Sequence, residues 1–222
     1  MSLLEEQDQD VVNLLSEDID NNNRYGDIEN PATLTLLISF KQIKRLDPLA
    51  IEYLSFMACI DATDIPQSLL PPTQSPTKRI EAMSTFISTG IIYDALNIHR
   101  LLHLAIRSRL EKEAMLGSWT QRAVGRLKEI FPRCDYKHRA VWRLCLTHIH
   151  YVFNCEHVKK YPDSSMMHVW LISQCLHDDR MFHEAKQWHL HTTEARKQIF
   201  GVKDSRTVST LSDVCAVFFH QG

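Results

Sequence analysis

Residues 164–222 read SSMMHVWLISQCLHDDRMFHEAKQWHLHTTEARKQIFGVKDSRTVSTLSDVCAVFFHQG, and they hold a helix-turn-helix unit whose opening recurs once. A shift of 42 residues carries Arg180 onto Gly222, Val169 onto Leu211, Ile172 onto Val214 and Leu176 onto Phe218, keeping apolar residues at matching helical positions. The second helix of the unit places Ala185, Trp188, Thr192, Ala195 and Ile199 on one face. The small Ala185 and Ala195 allow the close helix approach that stacked repeats need. About one and a half repeats are visible, and the next partner helix should begin near Gln221-Gly222.

Upstream, two further helices are expected. Ser118 and Gln121 have capping-box spacing ahead of Ala123, Leu127 and Ile130, and Phe131-Pro132 ends that helix. Trp142, Cys145, Ile149 and Val152 recur at offsets of three and four, forming one apolar stripe that stops near Cys155.

Between Pro31 and Leu116 the pattern is different. Asp47 followed by Pro48 is an N-cap with proline at the first helical position, and Leu49, Tyr53, Met57 and Ile60 follow helical spacing. Pro66, Pro71 and Pro72 then interrupt the chain. Thr77 is a candidate cap for a helix through Ile80, Met83, Phe86 and Ile87 that stops at Gly90. Ile91-Ile92-Tyr93 and Asn97-Ile98 flank Asp94-Ala95-Leu96, a spacing that permits a small hairpin before helical periodicity resumes in HRLLHLAIRSRL. Three helices and a wing predict a winged helix. Residues 3–16 carry an amphipathic pattern of their own, ending in the polar run Asp18–Arg24.

The expected organisation is therefore an all-α chain with a minor β wing, in three parts: an N-terminal helix and linker over 1–30, a winged-helix domain over 31–116, and truncated tetratricopeptide-like hairpins over 117–222.

Composition narrows the function classes. With 222 residues, 44% of them apolar, the chain is long enough to bury a core. The formal net charge is -2 and Lys/Arg are scattered, so no nucleic-acid footprint stands out. No apolar run approaches the ~20 residues that span a bilayer, and Glu5, Glu6, Asp8 and Asp10 stand where a secretory signal needs a basic start and an apolar stretch. Cys59, Cys134, Cys145, Cys155, Cys175 and Cys215 contain no C-x-x-C pair and fit reduced thiols. A cytoplasmic protein without membrane contact is expected.

LISFKQIKRLDPLAIEYLSFMACIDATDIPQSLLPP with NIHRLLHLAIRSRL, and EARKQIFGVKDSRTVSTLSDV near the end, resemble fungal STAND (NOD-like) proteins. In that family an NB-ARC nucleotide-binding module precedes a winged helix and tetratricopeptide repeats of the kinesin-light-chain type. Gly201 and Thr207 match the repeat junction. His99 matches the histidine of the winged helix, which the resemblance implies to touch the β-phosphate of ADP when an NB-ARC module is present. Arg100 stands where the family has an aspartate. None of the six glycines (26, 90, 117, 125, 201, 222) starts or completes a G-x-x-x-x-G-K-[ST] loop, so no cofactor is expected for this chain alone.

Other constellations carry less chemistry. His148-x-His150 and His189-x-His191 would diverge by roughly 200° on a helix, unsuited to one metal. Cys155-Glu156-His157 offers adjacency rather than a catalytic geometry, and Asp178-Asp179 reads as solvated capping carboxylates in a turn. Trp119, Trp142, Trp170 and Trp188 read as packing groups. A DNA-reading third helix over Thr77–Thr89 would offer only Lys78 and Arg79, while Glu111 and Glu113 interrupt the basic residues Arg100, Arg107, Arg109 and Lys112. The expected work is non-catalytic protein binding through the helical repeats, as the resemblance implies for a NOD-like receptor. A winged-helix DNA-binding regulator and a truncated product without independent function are the alternatives. Val208, Leu211, Cys215 and Phe218 on the last helix are expected to be open to self-association.

Overall fold

The computed structural model describes residues 38–40, 42–43, 45, 47–88, 92–93, 96–131, 137, 139–159 and 166–221; for 92–93, 157, 159, 166–171 and 219–221 it describes the backbone alone. The expectations for residues 1–30, Cys134, the stop at Gly90, the hairpin tip Asp94-Ala95, the side chains of Val169 and Trp170, and the turn at Gly222 lie outside these residues.

The described chain is mostly helical: α1 (Pro48–Met57), α2 (Pro76–Ser88), β1 (Ile92–Tyr93), β2 (Asn97–Ile98), α3 (Arg100–Lys112), α4 (Leu116–Ile130), α5 (Arg139–Phe153), α6 (Glu156–Lys159), α7 (Met166–Asp178), α8 (Phe182–Phe200) and α9 (Ser205–Gln221). It divides into two compact units. One runs to Ile130 and includes Leu144–Val152; the other comprises Phe131–Arg143 and Phe153–Gly222.

In the first unit α1 is the central helix and packs on α2, α3 and α4. Asp47 starts it as expected, with Oδ1 accepting from the Ala50 amide at 3.0 Å and Pro48 in the first turn. The apolar set extends beyond one stripe: Ala50, Tyr53, Leu54, Phe56 and Met57 are all buried, because three helices surround this one. The following segment ends its turn with Asp64 at positive φ, and a 3-10 turn over Gln67–Leu69 buries Leu69.

Helix α2 begins at Pro76, two residues earlier than a Thr77 cap suggests. Ser75 Oγ accepts from the Lys78 amide at 3.4 Å and its carbonyl accepts from Arg79, so Thr77 lies inside the first turn. The buried face also differs from expectation. Ala82 and Phe86, four apart, enter the core, leaving Ile80 and Ile87 67% and 70% exposed. One apolar stripe of this helix thus faces inward and a second faces solvent.

The hairpin is present: β1 and β2 pair antiparallel, Ile92 opposite Ile98 and Tyr93 opposite Asn97. Its second strand is tied to the loop after α1. The Ile98 amide donates to the Ala62 carbonyl at 2.9 Å, and Asn97 Oδ1 accepts from the Asp64 amide at 2.7 Å. Helix α3 ends at Ala114 in the left-handed region, with the Met115 amide reaching back to the Leu110 carbonyl at 2.7 Å. Helix α4 then starts at Leu116. Ser118 is therefore already inside it, and its hydroxyl donates to the Met115 carbonyl at 2.7 Å instead of forming a capping box, a correction of the expected start.

In the second unit α7, α8 and α9 pack in sequence, α8 against both neighbours. The turn between α7 and α8 has the geometry just described for α3: Arg180 is left-handed and the Met181 amide reaches the Leu176 carbonyl at 2.9 Å. Asp179 in this turn is a correction. It is not solvated; its side chain is 3% exposed and is gripped by Arg139 and Arg143 of α5, the Arg143 Nε at 2.7 Å. Gly201, at φ +86, ends α8 where a side chain would be strained, and Asp204 opens α9 by accepting from the Arg206 amide at 2.9 Å. The 42-residue correspondence survives at Ile172 and Val214, both buried, but separates at Leu176, buried, and Phe218, half exposed. Leu176 has α8 to cover it.

Candidate interaction surface

The sequence candidate His99 is the N-cap of α3, its Nδ1 accepting from the Leu101 amide at 3.3 Å. A lone pair used in this way holds the start of a helix. The neighbouring basic residues have local uses: Arg107 donates to the Ala58 carbonyl at 3.4 Å and lies over the Tyr151 ring, and Arg109 pairs with Glu113 at 2.7 Å. On α2, Arg79 donates to the Gln67 carbonyl.

The paired histidines separate as helical geometry requires: His148 and His189 are buried, His150 is half-buried and His191 exposed. Among the described residues no three His, Cys, Asp or Glu side chains gather into a metal-holding group. Cys155 is buried while Glu156 is exposed. Cys59, Cys145 and Cys175 are buried thiols as well, and burial pushes the Cys145 thiol up to about 11, away from the reactive thiolate. Trp119, Trp142 and Trp188 are core residues.

Two histidines hold the loop after α1: His103, which sequence reasoning passed over, and His148, which it weighed only as half of a metal pair. His103 Nε2 donates to the Ile60 carbonyl at 2.9 Å and meets the Tyr151 ring edge-on; His148 Nε2 donates to the Asp64 carbonyl at 3.3 Å. With the carbonyls as acceptors, the neutral tautomer carrying a proton on Nε2 serves both. Burial lowers both imidazole pKa values below the usual range. Nothing in the periodic pattern distinguishes these histidines from surface ones, because their partners are backbone carbonyls far away in sequence.

The buried side of α8 and α9 is more polar than stacked apolar stripes would give. His189, Thr192, Thr193, Arg196, Thr207 and Thr210 are all buried. Helical carbonyls satisfy several of them: Thr192 donates to Trp188, Thr193 to His189 and Thr210 to Arg206, and Arg196 Nη1 crosses to the Arg206 carbonyl at 2.8 Å. Thr207, matched to the repeat junction in sequence, sits on this side, and Gly201 supplies the bend before it.

The adjoining face of α9 is apolar. Val208 and Phe218 are each 49% exposed, Cys215 is exposed and Leu211 half-buried, while Val214 and Val217 are buried. Helix α9 thus has an inner face of Thr207, Thr210, Val214 and Val217 and an outer apolar line one step around the helix. Of the line expected to be open, Val208, Cys215 and Phe218 are exposed and Leu211 is half-buried.

No helix among the described residues is long and apolar enough to cross a membrane. No family model matches the chain, and no solved structure matches it significantly. Over 211 residues, 92% of its length, the chain is 28% identical to a nucleotide-binding leucine-rich repeat (NLR)-like protein of the fungus Hyaloscypha variabilis. It spans 21% of that protein, so what it is similar to is about a fifth of an NLR-like chain.

Proposed function

We propose that the chain is a non-catalytic protein-interaction segment of a fungal NLR-like receptor, a winged-helix domain followed by tetratricopeptide-like hairpins. The similarity to the NLR-like protein supports the relationship. Support for the winged-helix part comes from the element order α1, loop, 3-10 turn, α2, hairpin, and from the Ile98–Ala62 bond that adds the loop after α1 to the hairpin edge. Support for the repeat part comes from α7, α8 and α9, joined by short turns and packed in sequence.

The observation that carries the functional reading is the outer line of α9, because an exposed apolar helix face stacked on a packed hairpin is a surface for another protein. The partner meets the repeats; the winged helix serves as a packing module whose His99 caps a helix. A cytoplasmic setting suits such a module.

A gel-shift with random duplex DNA at two salt concentrations tests this reading. The expected result is no complex at either. A complex that weakens steeply with salt and is lost in Lys78→Ala/Arg79→Ala would replace the protein-binding role with DNA binding through α2.

A further inference from the structure

Of the eight prolines in the chain, Pro76 alone follows a serine or threonine, in the stretch Pro71-Pro72-Thr73-Gln74-Ser75-Pro76-Thr77-Lys78-Arg79. Ser75 thus has proline immediately after it and a basic residue three positions on. Both neighbours select a partner. A binding cleft that offers no acceptor to the residue after the serine leaves an ordinary amide N–H unsatisfied, and proline, having none, escapes that penalty. A carboxylate farther along such a cleft pairs with Lys78. A serine kinase with these two features picks this hydroxyl out of the whole chain.

The fold presents that hydroxyl. Residues 71–75 lie outside helix and strand, Leu70 before them is extended at φ -58 and ψ 146, and a residue that precedes proline favours extended backbone. Every residue from Pro72 to Glu81 is exposed or half-buried, and Ala82 is the first side chain of α2 to enter the core. The first turn of α2 can therefore open without drawing a core side chain with it. Its backbone bonds are long: the Lys78 amide reaches Ser75 Oγ at 3.4 Å, the Arg79 amide reaches the Ser75 carbonyl at 3.2 Å, and the Ser75 amide reaches Thr73 Oγ1 at 3.4 Å. A helix end held in this way opens at little cost, as an enzyme that takes its substrate in extended form requires.

We propose that Ser75 is a phosphorylation site for a proline-directed serine kinase, and that its phosphate then seats at the start of α2 beside Lys78. Ser75 Oγ attacks the γ-phosphorus of ATP held by the kinase, the bond to the β,γ-bridging oxygen breaks, the hydroxyl proton passes to a carboxylate of the kinase, and ADP leaves. When the turn re-forms, a phosphate oxygen replaces the hydroxyl as acceptor of the Lys78 amide. The positive end of the helix and the Lys78 ammonium add attraction, and the first turn holds no acidic residue to repel the dianion. The modification goes beyond the protein-binding reading and stands whether or not the repeats meet a partner.

Incubation of the folded chain with a cyclin-dependent kinase and Mg·ATP tests the acceptor, with the phosphate located by fragmentation in a mass spectrometer. The wild type should take a single phosphate, on Ser75. Ser75→Ala and Pro76→Ala should take none, and Lys78→Ala should be labelled severalfold more slowly. A peptide of residues 70–80 serves as the control for kinase activity. A folded wild type left unlabelled while the peptide is labelled, or a Ser75→Ala or Pro76→Ala chain labelled as fast as the wild type, overturns the proposal. Phosphorus NMR titration of the labelled chain tests the seat. The second ionisation of the phosphate should lie at lower pH in the folded chain than in the same chain unfolded in urea, and Lys78→Ala should bring the two together. Equal midpoints in the wild type would overturn the seating at α2. Neither titration nor labelling bears on the gel-shift, so failure here leaves the protein-binding reading standing.

Discussion

Tyr53 is the plainest residue-scale test of how the first unit is held together. Its ring is fully buried on α1, and its hydroxyl has no hydrogen-bond partner among the described residues. A buried unsatisfied hydroxyl costs more than an apolar atom of the same shape. Tyr53→Phe is therefore expected to leave stability unchanged or raise it by up to about 1 kcal/mol in urea unfolding; a loss of that size would mean that the hydroxyl is bonded. The buried histidines give a second test, through pH. Burial disfavours the charged form of His103, His148 and His189, opposed in part by Asp61 near His103, by Asp61 and Asp64 near His148 and by Asp213 near His189, while Arg107 and His177 act in the same direction as burial at His103 and His189. Their folded pKa values lie below the unfolded value of about 6.5, so the unfolded chain takes up protons first as the pH falls. Stability is full above that pH and is lost on acidification towards the lowered folded values. The melting temperature should fall between pH 7 and pH 5.5, and His103→Gln/His148→Gln, which keeps a donor near each Nε2 position, should flatten the fall. A profile that rises on acidification would contradict the neutral, buried tautomers.

At the scale of elements, caps and turns decide where helices begin and end. Because Ser75, not Thr77, caps α2, Ser75→Ala should cost about 0.5–1 kcal/mol and Thr77→Ala close to nothing; thermal unfolding of the two variants gives the comparison. Asp179 ties α5 to the turn after α7. Its loss leaves two half-exposed arginines without their shared carboxylate, so Asp179→Ala should destabilise by about 1–3 kcal/mol, and a neutral result would mean that the arginines are solvated instead. The sequence was readable where the signal is local. The Asp47-Pro48 start, the hairpin at 92–98, the stripe Trp142, Cys145, Ile149 and Val152, and the exposed line on α9 all follow from spacing or cap chemistry within a few residues. It was not readable where distant groups decide. Periodicity could not tell which stripe of α2 faces inward, since Ile80 and Ile87 repeat as well as Ala82 and Phe86. Nor could a turn composition reveal that Asp179 would meet Arg139 and Arg143. At the candidate surface the four outer residues were legible, but the Thr- and His-rich buried side was not, because an apolar stripe is the default for a stacked helix.

For the molecule as a whole, the two units invite different uses of the same physics. The first buries α1 among its neighbours and ties the loop after it with His103, His148 and Asn97, leaving His99 occupied as a cap. The second stacks helices and leaves an apolar line outward. Similarity to a fifth of an NLR-like protein then connects a helical surface to receptor architecture without transferring that protein's nucleotide binding to this chain. Function by surface rather than by bound nucleotide is tested most directly by calorimetric titration of ADP and of Mg·ATP into the purified chain. The expected result is no binding heat for either up to millimolar nucleotide. Micromolar binding that disappears in His99→Ala would contradict it, because His99 would then be reading a phosphate.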